Sequence, residues 1–106
     1  MANQMSNQNL KELSRKILSD TKPEDAFWFS DGVVARNIHE LLTDIQSCSD
    51  KTFIYHINSD NKKNDFAKWI RNSLGDNELA DKLQNVLDRE KYIEIIEKRI
   101  EQLESV

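Results

Sequence analysis

The chain has little of what stabilises small proteins from outside their core. It holds one cysteine, one proline and two glycines in 106 residues. A lone Cys48 cannot close an internal disulfide, so stability has to come from packing. Two glycines cannot build a phosphate-cradling loop, and so few helix breakers suit a chain of helices joined by short turns. No apolar stretch nears the ~18 residues that a membrane span requires, so no membrane association is expected. Positive charge is not in excess either. Fifteen Lys and Arg stand against 19 Asp and Glu, a net charge of −4, which disfavours nucleic-acid binding across a broad basic surface. The first residues, MANQMSNQNLKEL, are polar and show no secretory pattern, so a reducing cytoplasm is the expected location.

What is present is enough for one core. Hydrophobic residues make up 38% and charged residues 32%, and a chain of this length buries a single compact interior. The expected organisation is a disordered segment over 1–6 and one helical domain over 7–106. Leu10, Leu13, Ile17 and Leu18 predict a helix over 7–19, ended by the Asp20–Glu24 stretch with its proline. Asn37 with Glu40 three residues later predicts a helix over 38–47 with a capping box. Ser49 opens residues 50–57, where helix is preferred over strand. Residues 58–63 form a polar loop, and Asn64 or Asp65 caps a helix carrying Phe66, Trp69, Ile70 and Leu74. Gly75 suits the left-handed position that ends it. Asp76 starts the next helix, with Leu79, Ala80, Leu83, Val86 and Leu87 inward, and the last helix covers about 89–104.

Between the first two helices lies AFWFSDGVVAR. A helix capped by Asp31 and starting at Val33 fits the later apolar spacing. A hairpin fits better, because Phe, Trp and Val favour strands and Asp-Gly suits a two-residue type I′ turn. The expected fold is therefore mainly α, a small helical domain with one short β-hairpin (26–30 and 33–36), α+β by a strict count. In a two-residue-loop register, Phe27, Phe29 and Val34 share one face, and Trp28, Val33 and Ala35 the other. Both are apolar. The second is covered by the 7–19 helix or offered to a partner, as is the free strand edge.

The terminal helix poses a similar choice. Ile93, Ile96, Ile100 and Leu103 follow a 3-4-3 spacing, a coiled-coil-like seam two heptads long. It either packs within the domain or joins a homodimer.

For chemistry, His56 with Asn64 and Asp65 is the first candidate, and Asp31 could join it. A histidine beside a carboxylate can serve as general base. The structural alternative is that Asn64 or Asp65 caps its helix while His56 closes the preceding loop. No nucleophile signature accompanies these residues. His39 lies on a polar helix side, fewer than three metal ligands converge, and no metal or cofactor is expected. Asp31, Asp60 and Asp76 sit where turns and caps favour aspartate. Lys62, Lys63, Lys68 and Arg71 surround Trp69, a pattern that can bind single strands by stacking, although Trp69 shares the apolar face of Phe66 and Ile70.

The words FWFSDG, NIHEL, FIYH, NDFAKWI and LGDNELA occur in this order over roughly 23–83. Together they resemble a family of small archaeal and bacterial domains of unknown function. The resemblance implies a compact module, regulatory or adaptor in kind, with no activity or catalytic residues to carry over, and it leaves the first and last helices outside. The leading expectation is a non-catalytic protein-interaction or regulatory module that binds a protein partner or itself. A small ligand-binding or hydrolase-like site around His56 and Asp65 is the alternative, and single-stranded nucleic-acid binding is a weaker one.

Overall fold

The computed structural model describes residues 7–58 and 62–106. The expected disorder of residues 1–6 and the turn role of Asp60 lie outside the described residues. Helix α1 (Asn7–Leu18) buries Ile17 and Ser14. A short 3₁₀ turn, Pro23–Asp25, follows, its proline at a position where the missing N–H costs nothing. The chain is tied back there, because Thr21 N–H donates to Arg36 O at 2.7 Å and Trp69 Nε1 donates to Asp25 O at 2.7 Å.

The hairpin exists, in a different register from the one expected. Strands β1 (Phe27–Trp28) and β2 (Val34–Ala35) pair antiparallel with Phe27 opposite Ala35 and Trp28 opposite Val34. Phe29 N–H donates to Val33 O at 2.8 Å, and Gly32 N–H donates to Phe29 O at 2.9 Å. The connection is thus three residues, Ser30 to Gly32, with Gly32 at φ +93°. This is the type I turn plus left-handed glycine that closes three-residue hairpins. Asp31 Oδ1 accepts the Val33 N–H at 3.0 Å, which draws the carboxylate into the turn and favours this geometry over the two-residue one. The shift by one position moves Ala35 onto the core side with Phe27. Ala35 is fully buried, so it does not belong to the outer face with Trp28.

Helix α2 (Ile38–Ser47) begins at Asn37, whose side chain accepts the Glu40 N–H at 2.8 Å. Ser49 caps α3 (Asp50–His56) in the same way through Thr52 N–H at 3.1 Å. The segment expected as a polar loop carries a second small hairpin, β3 (Ile57–Asn58) with β4 (Lys63–Asn64). Two-residue strands give no alternation to read. Asn64 caps α4 (Asp65–Trp69), which widens into a π turn over Ile70–Leu74 and stops at Gly75, φ +77°. Asp76 caps α5 (Asn77–Leu83) through Leu79 N–H at 3.1 Å. That helix ends sooner than its apolar spacing suggests. Val86 N–H turns back to Leu83 O at 3.1 Å, Asp88 caps the next helix, and Leu87 is exposed rather than inward.

Helix α6 (Arg89–Glu104) is the longest element and packs against α1, α2 and α5. Ile96, Ile100 and Leu103 are buried in these contacts and Ile93 is partly buried against the core. The 3-4-3 positions therefore pack against the domain's own core. The buried stripe also includes Tyr92 and Arg99, so it lies to one side of the seam read from the isoleucines. Phe27, Phe29, Leu41, Ile45, Phe53, Phe66, Trp69, Ile70, Leu79 and Leu83 all lie in the interior. The fold is mainly α with short hairpins. No helix among the described residues is long and apolar enough to cross a membrane.

Candidate functional site

His56 ends α3 and sits 4% exposed where the first hairpin meets α4. Its ring is enclosed by Phe27, Phe29 and Phe66, with centroids 5.1, 5.7 and 5.3 Å away, and Tyr55 lies edge-on at 4.9 Å. Ser30 N–H donates to Nε2 at 3.0 Å. Nδ1 lies 2.8 Å from Asp65 Oδ2. A backbone N–H can only donate, so Nε2 holds the lone pair and Nδ1 carries the proton toward Asp65. This fixes a neutral tautomer. With both nitrogens engaged, the imidazole has no free lone pair to accept a proton from a nucleophile or to bind a metal. Ser30 meets the ring through its backbone, so Ser30, His56 and Asp65 form a strut that holds the hairpin tip to α3 and α4.

The other members of the sequence-derived site separate. Asp31 is exposed and serves its own turn. Asn64 is a structural hub. Its Oδ1 accepts Ala67 N–H at 3.1 Å and Tyr92 Oη–H at 2.7 Å, while its Nδ2 donates to Leu83 O at 2.8 Å and Gln84 O at 3.2 Å. Burial drives the Tyr92 hydroxyl far above its ordinary pKa of 10.0, so it stays a donor. Burial also pushes the Cys48 thiol up, with Arg89 opposing, which disfavours a reactive thiolate. Among the described residues, no group of three or more His, Cys, Asp or Glu is arranged to hold a metal ion.

The outer face of the first hairpin is open at Trp28, which is 66% exposed and is not covered by helix α1. In the observed register Trp28 shares that face with half-buried Val34, and Val33, expected beside Trp28, lies on the side of Phe29. Phe29 and Val33 form a hydrogen-bonded pair, so in the antiparallel alternation Trp28 and Val34 form the next, non-bonded pair, with their N–H and C=O groups directed outward. The indole is thus joined to a strand edge that no further strand pairs among the described residues. Below Val34, a depression of about 400 Å³ is lined by Arg36, His39, Glu40, Thr43 and Asp44. The Asp44 carboxyl is raised above its usual value by burial and by the nearby Glu40 and Asp31 charges.

A second concavity lies beyond His56. Lys62, Lys63, Asn64, Asp65, Lys68, Arg71 and Gln84 line a space of about 440 Å³. Trp69, expected among these cations, is 8% exposed and belongs to the core.

A sequence model of a family of unknown function, DUF5752, matches residues 29–106. The chain belongs to this family. The match starts at the hairpin tip and leaves α1 outside, as the resemblance implied, but it runs through α6 to the end. The last helix is therefore part of the family unit and not an addition to it. Its buried Tyr92 and Arg99, which bond to Asn64 and Asp76, give the physical reason: the earlier elements depend on it. No curated protein and no solved structure matches the chain.

Proposed function

We propose that the chain is a non-catalytic binding module that offers β1 and its outer face to a protein partner. The observation that carries this reading is Trp28, 66% exposed on a strand whose neighbours Phe27 and Phe29 are locked in the core. Its backbone is already held by those neighbours and by pairing with Val34, so covering it requires little further loss of backbone freedom. Tryptophan is also among the residues that contribute most at interfaces. The fitting partner is an extended segment that adds to the β1 edge and lays an apolar side chain across Trp28 and Val34.

The hydrolase-like alternative draws no support from His56, whose two nitrogens are both engaged. Stacking of single-stranded nucleic acid on Trp69 draws none either, because that ring is buried.

Affinity capture with three forms of the chain tests the proposal: wild type, Trp28→Lys and Ile54→Lys. Ile54 is exposed on α3 and serves as control. A defined protein retained by wild type and by Ile54→Lys but lost from Trp28→Lys is expected. Equal retention by all three, or no partner together with strictly monomeric sedimentation, overturns it.

A further inference from the structure

The concavity beside β4 carries a second site, sharing no lining residue with the depression under Val34. Four cations border it, although the chain as a whole carries −4. Their pairing is uneven. Asp65 already meets His56 at 2.8 Å and lies 3.4 Å from Lys63 Nζ. Arg71 bonds to Asp81 at 2.5 Å, but the Asp81 side chain is 70% exposed, so that pair is easily exchanged. Lys62 and Lys68 have no carboxylate within ion-pair distance among the described residues. Lys62 also holds a left-handed backbone, φ +52°, which non-glycine residues adopt at some cost.

An adjoining space of about 370 Å³ is lined by Asn58, Lys62, Lys63, Asn64, Gln84, Asn85 and Leu87. The two share Lys62, Lys63, Asn64 and Gln84, and so form one trough of ammonium, guanidinium and amide groups with a single carboxylate among the lining residues, Asp65, which is engaged by His56 and Lys63. Neither Lys62 nor Lys68 is offset by a carboxylate of the described residues, so their positive fields add within this concave space. Arg71 adds a planar fork suited to two oxygens of one anion.

We propose that this trough binds a compact phosphate-bearing anion, a phosphomonoester or pyrophosphate group. A nucleic-acid strand fits less well. Strand binding needs open aromatic faces for the bases, and the ring beside the trough, Tyr55, has Lys63 Nζ seated over it at 3.9 Å. The acidic remainder of the surface also repels a long polyanion.

The test is titration of the full chain with inorganic pyrophosphate at low salt, followed by backbone amide shifts. Saturable binding is expected, with the largest shifts at Lys62, Lys63, Lys68, Arg71 and Gln84. Lys62→Gln with Lys68→Gln should weaken it about tenfold or more, without changing the melting temperature, because both side chains are exposed. Lys91→Gln with Lys98→Gln on α6 should leave the affinity unchanged. Absence of saturable binding, or equal loss in the α6 variant, overturns the proposal. So does an oligothymidylate that binds more tightly than pyrophosphate and depends on the same two lysines, which would assign the trough to nucleic acid.

Discussion

Arg99 and Asp76 meet in the interior through two parallel hydrogen bonds, Nε to Oδ2 at 2.8 Å and Nη2 to Oδ1 at 3.0 Å. Asp76 is 2% exposed and Arg99 9%. The same carboxylate caps α5, and Arg99 Nη1 goes on to Glu78 and Gln102 at 2.9 and 2.7 Å. One ion pair thus starts a helix and docks α6 against it.

Removing one partner strands the other without water. Arg99→Met should destabilise the fold by about 3–5 kcal/mol, the usual cost of leaving a buried charge unpaired. Asp76→Asn keeps an oxygen for the cap but removes the charge. The double variant should therefore lose less than the sum of the two singles. Urea denaturation of the four proteins gives the coupling directly, and simple additivity would show that the two residues act independently.

Asn64 should be less replaceable than its place in a small hairpin suggests. Asn64→Ala removes a helix cap and the contacts to Tyr92, Leu83 and Gln84, and should cost about 3 kcal/mol, since a lost cap alone is worth about 1 and buried groups lose their partners. Tyr92→Phe keeps the packing and loses one hydrogen bond, so about 1 kcal/mol is expected. Similar losses for both variants would mean that Asn64 matters only through Tyr92.

His56 should behave as a strut. His56→Phe keeps an aromatic in the cage but cannot accept the Ser30 N–H. Hydrogen exchange should then accelerate at Ser30 and its turn before it does in α6, where protection tracks global opening. Unchanged exchange at Ser30 would show that the imidazole does not hold the hairpin tip.

Much of this architecture is legible in the sequence, because it rests on local signals. Asn37, Ser49, Asp76 and Gly75 act through neighbours three to five residues away, and each occupies the position its chemistry predicts. The hairpin register is less legible. Asp-Gly fits a two-residue turn and a three-residue one, and the choice depends on whether the Asp31 carboxylate takes the Val33 N–H. The Arg99–Asp76 pair spans 23 residues, and nothing in the isoleucine spacing separates a buried arginine from a solvated one. For the candidate site, the pairing of His56 with Asp65 follows from proximity along the chain. The role of that pair is set by Ser30, 26 residues away.

The last prediction concerns two carboxylates one turn apart on α2. Glu40 is held below its ordinary value of 4.5, first by the Arg36 side-chain hydrogen bond and then by the Arg36 backbone N–H. A lowered folded value means stability that is present above 4.5 and lost as pH falls through the folded value. Asp44 is raised above 3.8, by burial first and then by Glu40 and Asp31. Its ionisation penalises the fold, and that penalty is absent below 3.8 and grows as pH rises through the folded value. Near pH 7, Glu40→Gln should lower the melting temperature and Asp44→Asn should raise it. Both effects should fade as the pH falls well below 3.8. Glu40 also contributes to the Asp44 penalty, so Glu40→Gln relieves Asp44 while it loses Arg36. In the Asp44→Asn background only the loss remains, and the drop in melting temperature should be larger than in wild type. An equal drop in both backgrounds would show that the two carboxylates do not interact.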